Sequence, residues 1–185
     1  RALVIVAHAD DIEFGMSGTI ARWTKAGAQV IYCIITDNSA GSNEPGADLA
    51  ALVQTRKEEQ IASAKIAGVE DVRFLNYKDG TLQPTMHLRR ELTRLVRETR
   101  PQAVMTLDPT TVFAMGNGYI NHPDHRAAGE AAIYAVFPSA GTRPIFPELL
   151  DEGLEPHNVD KVYLTLNADP DIIVDISDTF ETKAD

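Results

Sequence analysis

Leu3-Val4-Ile5-Val6-Ala7-His8-Ala9-Asp10-Asp11 is a continuous apolar run that ends abruptly in a cluster of ionisable residues. An apolar run of this length without polar alternation reads as a strand buried on both faces, as in a parallel sheet. Working outward, a helix is expected over Gly15 to Lys25, stopped by Gly27, with Gly15 and Gly18 letting it pack close to the sheet. Val30 to Thr36 reads as the second strand, and within it the single cysteine, Cys33, reads as a small buried hydrophobe. A long helix follows from Asp48 to Ile66. Ile61, Ala62, Lys65 and Ile66 mark its lower part, and Gly68 stops it. Val72 to Leu75 is a short strand. Met86 to Thr99 is a helix with Leu88, Leu92, Leu95 and Val96 at helical spacing, closed by Pro101. Ala103 to Leu107 is the next strand, and His125 to Val136 an alanine-rich helix.

Ser139 to Asn158, rich in Pro, Gly and acidic residues, reads as a long surface excursion. Lys161 to Leu166 and Ile172 to Ile176 read as two further strands. Ser177 to Asp185 reads as a cap and the first turns of a helix, so the chain is expected to continue past Asp185. The alternation predicts an α/β sandwich around a mostly parallel sheet, one domain over residues 1–185. In such sheets ligands bind beyond the carboxyl ends of the strands. The loops after Ala7, Thr36, Leu75 and Leu107 are therefore where a site is sought.

Composition narrows the function. The formal net charge is −10, which repels phosphate backbones and argues against nucleic-acid partners while leaving neutral sugars and amides open. One cysteine builds neither a disulfide framework nor a Cys-rich zinc site and fits a reducing compartment. No apolar stretch approaches membrane-spanning length. A cytoplasmic location is expected if no targeting segment precedes Arg1.

Two clusters carry chemistry. In the first, His8-Ala9-Asp10-Asp11, adjacent carboxylates raise each other's pKa, and a divalent cation relieves that cost. The imidazole and one carboxylate ligate it, while the other carboxylate stays free as a base. Rival readings are a helix N-terminus complementing its dipole, or an Asp nucleophile, which leaves the histidine unexplained. In the second, His122-Pro123-Asp124-His125, a helix opens with Pro123 in its first turn, and residues three apart share a face. Asp124 is placed to orient a histidine. The bland alternative is a capped surface helix. Three of the five histidines fall in these clusters, whereas His87 and His157 sit in polar, turn-like contexts and read as exposed. Two histidines and a carboxylate with an open position form a catalytic zinc set, and the same set suits ferrous iron.

His8-x-Asp10-Asp11 followed downstream by His122-Pro123-Asp124-His125 resembles the LmbE/PIG-L family of metal-dependent N-acetylglucosamine deacetylases. The resemblance runs from the first strand to the helix after His125. It implies a Rossmann-like fold and removal of acetyl groups from N-acetylglucosaminyl conjugates, with zinc as the metal and ferrous iron as the alternative. By position it implies His8, Asp11 and His125 as metal ligands, Asp10 as general base, and His122 as the group that meets the oxyanion or protonates the leaving amine. Looser matches are Arg56, Asp79 and Tyr119 as substrate contacts. The family usually has proline where this chain has Ala9, which implies a looser turn. The expected partner is a small N-acyl sugar conjugate, and self-association is compatible with the pattern. Rival functions are an amidase of the same family acting on a larger conjugate, a non-catalytic sugar- or nucleotide-binding domain, and a ferrous oxygenase.

Overall fold

The computed structural model describes residues 1–114, 118–167 and 169–184. Along the chain run β1 (Ala2–Val6), α1 (Asp11–Gly15), α2 (Ser17–Lys25), β2 (Val30–Thr36), α3 (Leu49–Ile66), β3 (Asp71–Tyr77), α4 (Met86–Thr99) and β4 (Ala103–Leu107). A short hairpin follows, β5 (Phe113–Ala114) with β6 (Tyr119–Ile120). Then come α5 (Pro123–Tyr134), α6 (Glu148–Asp151), β7 (Lys161–Thr165) and α7 (Phe180–Ala184).

The apolar runs become strands because each buries both faces. Every residue of β1 and β2 is buried. Burying one Val, Leu or Ile side chain contributes about 1.5–3 kcal/mol. The sheet is five-stranded, all parallel, in the order β3-β2-β1-β4-β7. The order reverses between β1 and β4, which opens a crevice at their carboxyl ends. The Rossmann-like α/β expectation is met.

The helices follow their capping chemistry. Asp48 accepts from the Ala51 N–H to start α3, and Thr85 accepts from the Leu88 N–H to start α4. Leu88, Leu92, Leu95 and Val96 of α4 are buried as their spacing predicts. On α3 the outcome differs. Ile61 and Ile66 are exposed, and the buried positions are Gln60 and Ala64, because Gln60 is held inward by polar partners at the site.

Further expectations are corrected. The first helix begins at Asp11 and breaks at Met16 (φ −130°), whose side chain is buried in the core. Residues 172–176 are not a strand: Arg22 donates to the Asp175 carbonyl and Ile176 packs on Gly18, so the segment lies along α2 rather than on the sheet. The close approach at Gly18 is thus to Ile176. The segment 139–158 is anchored rather than a free excursion. The buried guanidinium of Arg97 donates to the carbonyls of Ser139, Ala140, Thr142 and Ile145. His157 is half-buried, its Nε2 2.7 Å from the Pro101 carbonyl.

The glycine that brings a helix against the sheet is Gly129 on α5. A Cβ there would overlap the Leu107 carbonyl oxygen at the end of β4 and press on Pro109. Gly129→Ala is therefore expected to push α5 outward and destabilise the fold by about 1–3 kcal/mol or more. For a chain of this size that lowers Tm by roughly 2–12 °C, measurable by thermal unfolding. An unchanged Tm would show that α5 repacks without strain.

Candidate active site

The four turns nominated by the sheet rule converge at the β1/β4 crevice. β1 delivers His8, Asp10 and Asp11, and the N-terminus of α5, following β4, delivers His122, Asp124 and His125. The turn after β2 brings Asn38, and the turn after β3 brings Asp79. The rings of His8 and His122 lie 4.8 Å apart between centroids, His8 and His125 5.2 Å, and His122 and His125 5.4 Å.

Asp11 is the buried centre. Its Oδ2 accepts from the backbone N–H groups of Ala7 (3.1 Å) and His8 (2.9 Å), which leaves Oδ1 facing His125 Nε2 at 2.9 Å. Burial alone would raise its pKa. Hydrogen bonds and charge from His125 and His8 outweigh that and hold the carboxyl far below the usual range, so it stays ionised. His8 Nε2 lies 3.1 Å from Asp79 Oδ1 and 3.5 Å from Asp124 Oδ2, yet it is buried without a hydrogen-bond partner among the described residues. Burial pulls the His8 pKa down, but the nearby Asp11 carboxylate, 3.8 Å from Nδ1, and the charges of Asp79 and Asp124 raise it to about 9. These carboxylates create a strong demand for positive charge around one imidazole.

Two donor groupings among the described residues have ligand atoms within 4.8 Å of one another: His8, Asp11 and His125, and His8, His122 and Asp124. In the second, both carboxylate oxygens of Asp124 are already engaged, by the N–H groups of Gly80 (2.8 Å) and Leu82 (3.0 Å). His122 Nδ1 accepts from the Asp124 N–H at 3.2 Å, so His122 acts as the cap of α5. The first grouping keeps Asp11 Oδ1 free of backbone donors. The orphaned His8 nitrogen, the mixed N/O donors and the surplus of carboxylates fit a divalent cation.

Asp10 sits at the rim, exposed, with a left-handed backbone (φ 101°). For a non-glycine residue this conformation costs about 1–3 kcal/mol and concentrates at functional sites. Partial enclosure of its carboxylate, then the neighbouring Asp11 charge, raises its pKa. His122 moves the other way: burial, then the positive charge on His8, lowers its pKa and favours the neutral ring.

The looser candidates separate. Asp79 is buried beside His8 and accepts from the Ala40 N–H at 2.9 Å. Arg56 lines a small cavity of about 100 Å³ together with Asp10, Glu13, Glu59 and Gln60, and pairs with Glu59 at 3.1 Å. Tyr119, on β6, is half exposed and makes no hydrogen bond to the three clustered histidines among the described residues. Asp124 was expected to orient a histidine. Its N–H donates to His122 Nδ1 at 3.2 Å and its Oδ2 lies 3.5 Å from His8 Nε2, while its carboxylate also ties the 80–82 turn to α5. The His125 ring meets Asn121, whose Oδ1 lies 3.0 Å from Nδ1. Asn121, Asn38 and Gln60 were not singled out by sequence. Asn38, just past β2, and Asn121, in the connection from β4 to α5, lay where the sheet rule looks, whereas Gln60 on α3 did not.

Fold and site define a Rossmann-like α/β protein with a candidate His/Asp cation site at the switch point of its sheet. The family model for GlcNAc-PI de-N-acetylase (PIG-L) matches residues 3–136, and this chain belongs to that family. It is 36% identical over 183 residues to a diacetylchitobiose deacetylase of Thermococcus kodakarensis, covering 99% of this chain and 66% of that protein. It is 32% identical over 141 residues to a probable N-acetyl-alpha-D-glucosaminyl L-malate deacetylase 2 of Bacillus anthracis, covering 74% and 59%. The solved N,N'-diacetylchitobiose deacetylase of Pyrococcus horikoshii superposes with a TM-score of 0.90 at 34% identity, covering 99% of this chain and 66% of that one. The chain thus spans about two thirds or less of the length of these relatives.

Proposed function

We propose that this chain carries the catalytic centre of a zinc-dependent N-deacetylase acting on a small N-acetylglucosaminyl conjugate. One observation carries the reading. His8, Asp11 and His125 present donors within 4.8 Å of one another, while Asp10, on the same turn, stays outside that set. Two imidazoles and a carboxylate form the donor set of a catalytic zinc site, and ferrous iron is the alternative to be tested. The deacetylases named above support the substrate class.

Bound at these donors, a divalent cation supplies Lewis-acid polarisation of the amide carbonyl and makes a water more acidic. The chain's own groups do the proton work. Asp10 accepts the proton of the attacking water at its carboxylate, and its raised pKa brings it closer to the working pH of a general base. His122 Nδ1 is occupied by the Asp124 N–H, so the neutral ring carries its proton on Nε2 and offers that N–H to the developing oxyanion. Protonated Asp10 then delivers its proton to the departing amine. Arg56 and Asp79 flank this point as substrate contacts. Tyr119, on β6, is a further candidate substrate contact.

Among the described residues no helix is long and apolar enough to cross a membrane. The test is acetate release from N,N'-diacetylchitobiose and other N-acetylglucosaminyl compounds by protein reconstituted with zinc or, anaerobically, with ferrous iron. Acetate and free amine are expected in equal amounts. A larger acid released from another amide, with no acetate, would replace the deacetylase with an amidase. Neither product, with no metal bound, would move the chain to a sugar-binding role.

A further inference from the structure

The turn that presents Asp10 is unusual in where its backbone donors go. Consecutive N–H groups from Ala7 to Asp10 all end on side chains. Ala7 and His8 donate to Asp11, within the turn itself. Ala9 donates to Asn38 Oδ1 at 2.7 Å, and Asp10 to Gln60 Oε1 at 3.3 Å. The shorter of these two long-range bonds joins buried partners, with Ala9 6% and Asn38 5% exposed. Asn38 is fixed at its other end, where Nδ2 donates to the Thr36 carbonyl at 3.2 Å, so its oxygen is held toward Ala9.

A proline at position 9 would stiffen this turn through its ring and would bring no N–H. Alanine brings a buried N–H that must be satisfied, and Asn38 satisfies it. We propose that Asn38 is a positioning residue for Asp10: by accepting the Ala9 N–H it supplies the rigidity that a ring would otherwise give, and so holds Asp10 in its strained left-handed conformation. The kinetic consequence rests on the hydrolase reading above, while the structural one does not.

The test is a cycle of four proteins: the parent, Asn38→Gly, Ala9→Pro and the double variant. Glycine suits position 38 because Asn38 itself has φ 59°. In the metal-free parent, backbone amides of the 7–12 turn are expected to exchange slowly. Asn38→Gly should speed that exchange about tenfold, the scale of one lost hydrogen bond. It should also lower kcat for acetate release about tenfold at nearly constant KM, since small misplacements of a reacting group cost rate. In the Ala9→Pro background, where position 9 has no N–H to lose, the same substitution should change exchange and kcat by no more than about twofold. Equal effects in both backgrounds, or none in the parent, would overturn the proposal. Should Ala9→Pro fail to fold, the amides are read one by one in Asn38→Gly, where His8 and Asp10 are expected to exchange faster together with Ala9. If the Ala9 amide alone speeds up while His8 and Asp10 keep parental rates, Asn38 does not position the turn and the proposal fails. A parent without hydrolase activity would sink the functional reading alone, and the exchange measurement would still decide the role of Asn38.

Discussion

Asp10→Asn is expected to lower kcat for acetate release by about 10²–10⁴-fold, the usual contribution of a general base, with bound metal retained. The substitution is nearly isosteric, and asparagine tolerates the left-handed conformation that Asp10 occupies. It also removes a charge that burial and Asp11 both disfavour. Thermal stability should therefore be unchanged or slightly higher, which separates a chemical loss from a folding one. Three measurements on one preparation decide the matter: acetate release, metal content per chain, and Tm. Near-parental turnover would remove Asp10 from the proton transfer. Loss of the metal along with activity would place Asp10 among the ligands, so that another group must serve as the base.

His125→Ala should act on the metal first. A residue that merely orients a ligand typically contributes 10–100-fold to metal affinity, so losing a ligand is expected to cost more than about 100-fold. Turnover should fall to background in step, and metal content after dialysis is the direct readout. The variant also bears on the metal-free fold. His125 Nε2 lies 2.9 Å from Asp11 Oδ1, deep in the crevice. Leaving a buried hydrogen-bonding group without its partner costs about 1–3 kcal/mol, and the upper end applies here because the Asp11 carboxyl is ionised. A Tm drop of roughly 6–12 °C in the metal-free protein follows for a chain of this length. Full metal content in His125→Ala would instead favour the grouping of His8, His122 and Asp124.

The proposed substrate contacts are the part of the site least legible in the sequence. Arg56 and Asp79 enter the sequence reading only through the family resemblance. The structure gives each a setting: Arg56 beside the cavity next to Asp10, and Asp79 against His8. Tyr119 has no such setting among the described residues, being half exposed on its short hairpin. Residues 115–117, just before it in the chain, lie outside the described residues. Hairpins of two-residue strands carry too little periodicity for a pattern to find them. The run at Ile172 to Ile176 shows the opposite error. Its composition is strand-like, but strand formation needs a neighbour to pair with, and this run lies against α2 instead.

Local pattern was sufficient for the central sheet. β1, β2 and β4 are unbroken apolar runs, and α4 shows a clear helical stripe, so burial is written into each segment by itself. The two motifs were equally plain, because ligand chemistry restricts residue type within four consecutive positions. Tertiary structure alone decided what those motifs meet. It set β1 beside β4, so that residues 8–11 and 121–125 share one crevice. It turned Gln60 rather than Ile61 inward, and it put Asn38 on the Ala9 N–H and Asn121 on the His125 ring. Such contacts join residues that are distant in sequence and only one hydrogen bond apart in space. A buried amide at those positions answers to a partner's backbone rather than to its own neighbours, and so leaves no periodic trace in the chain.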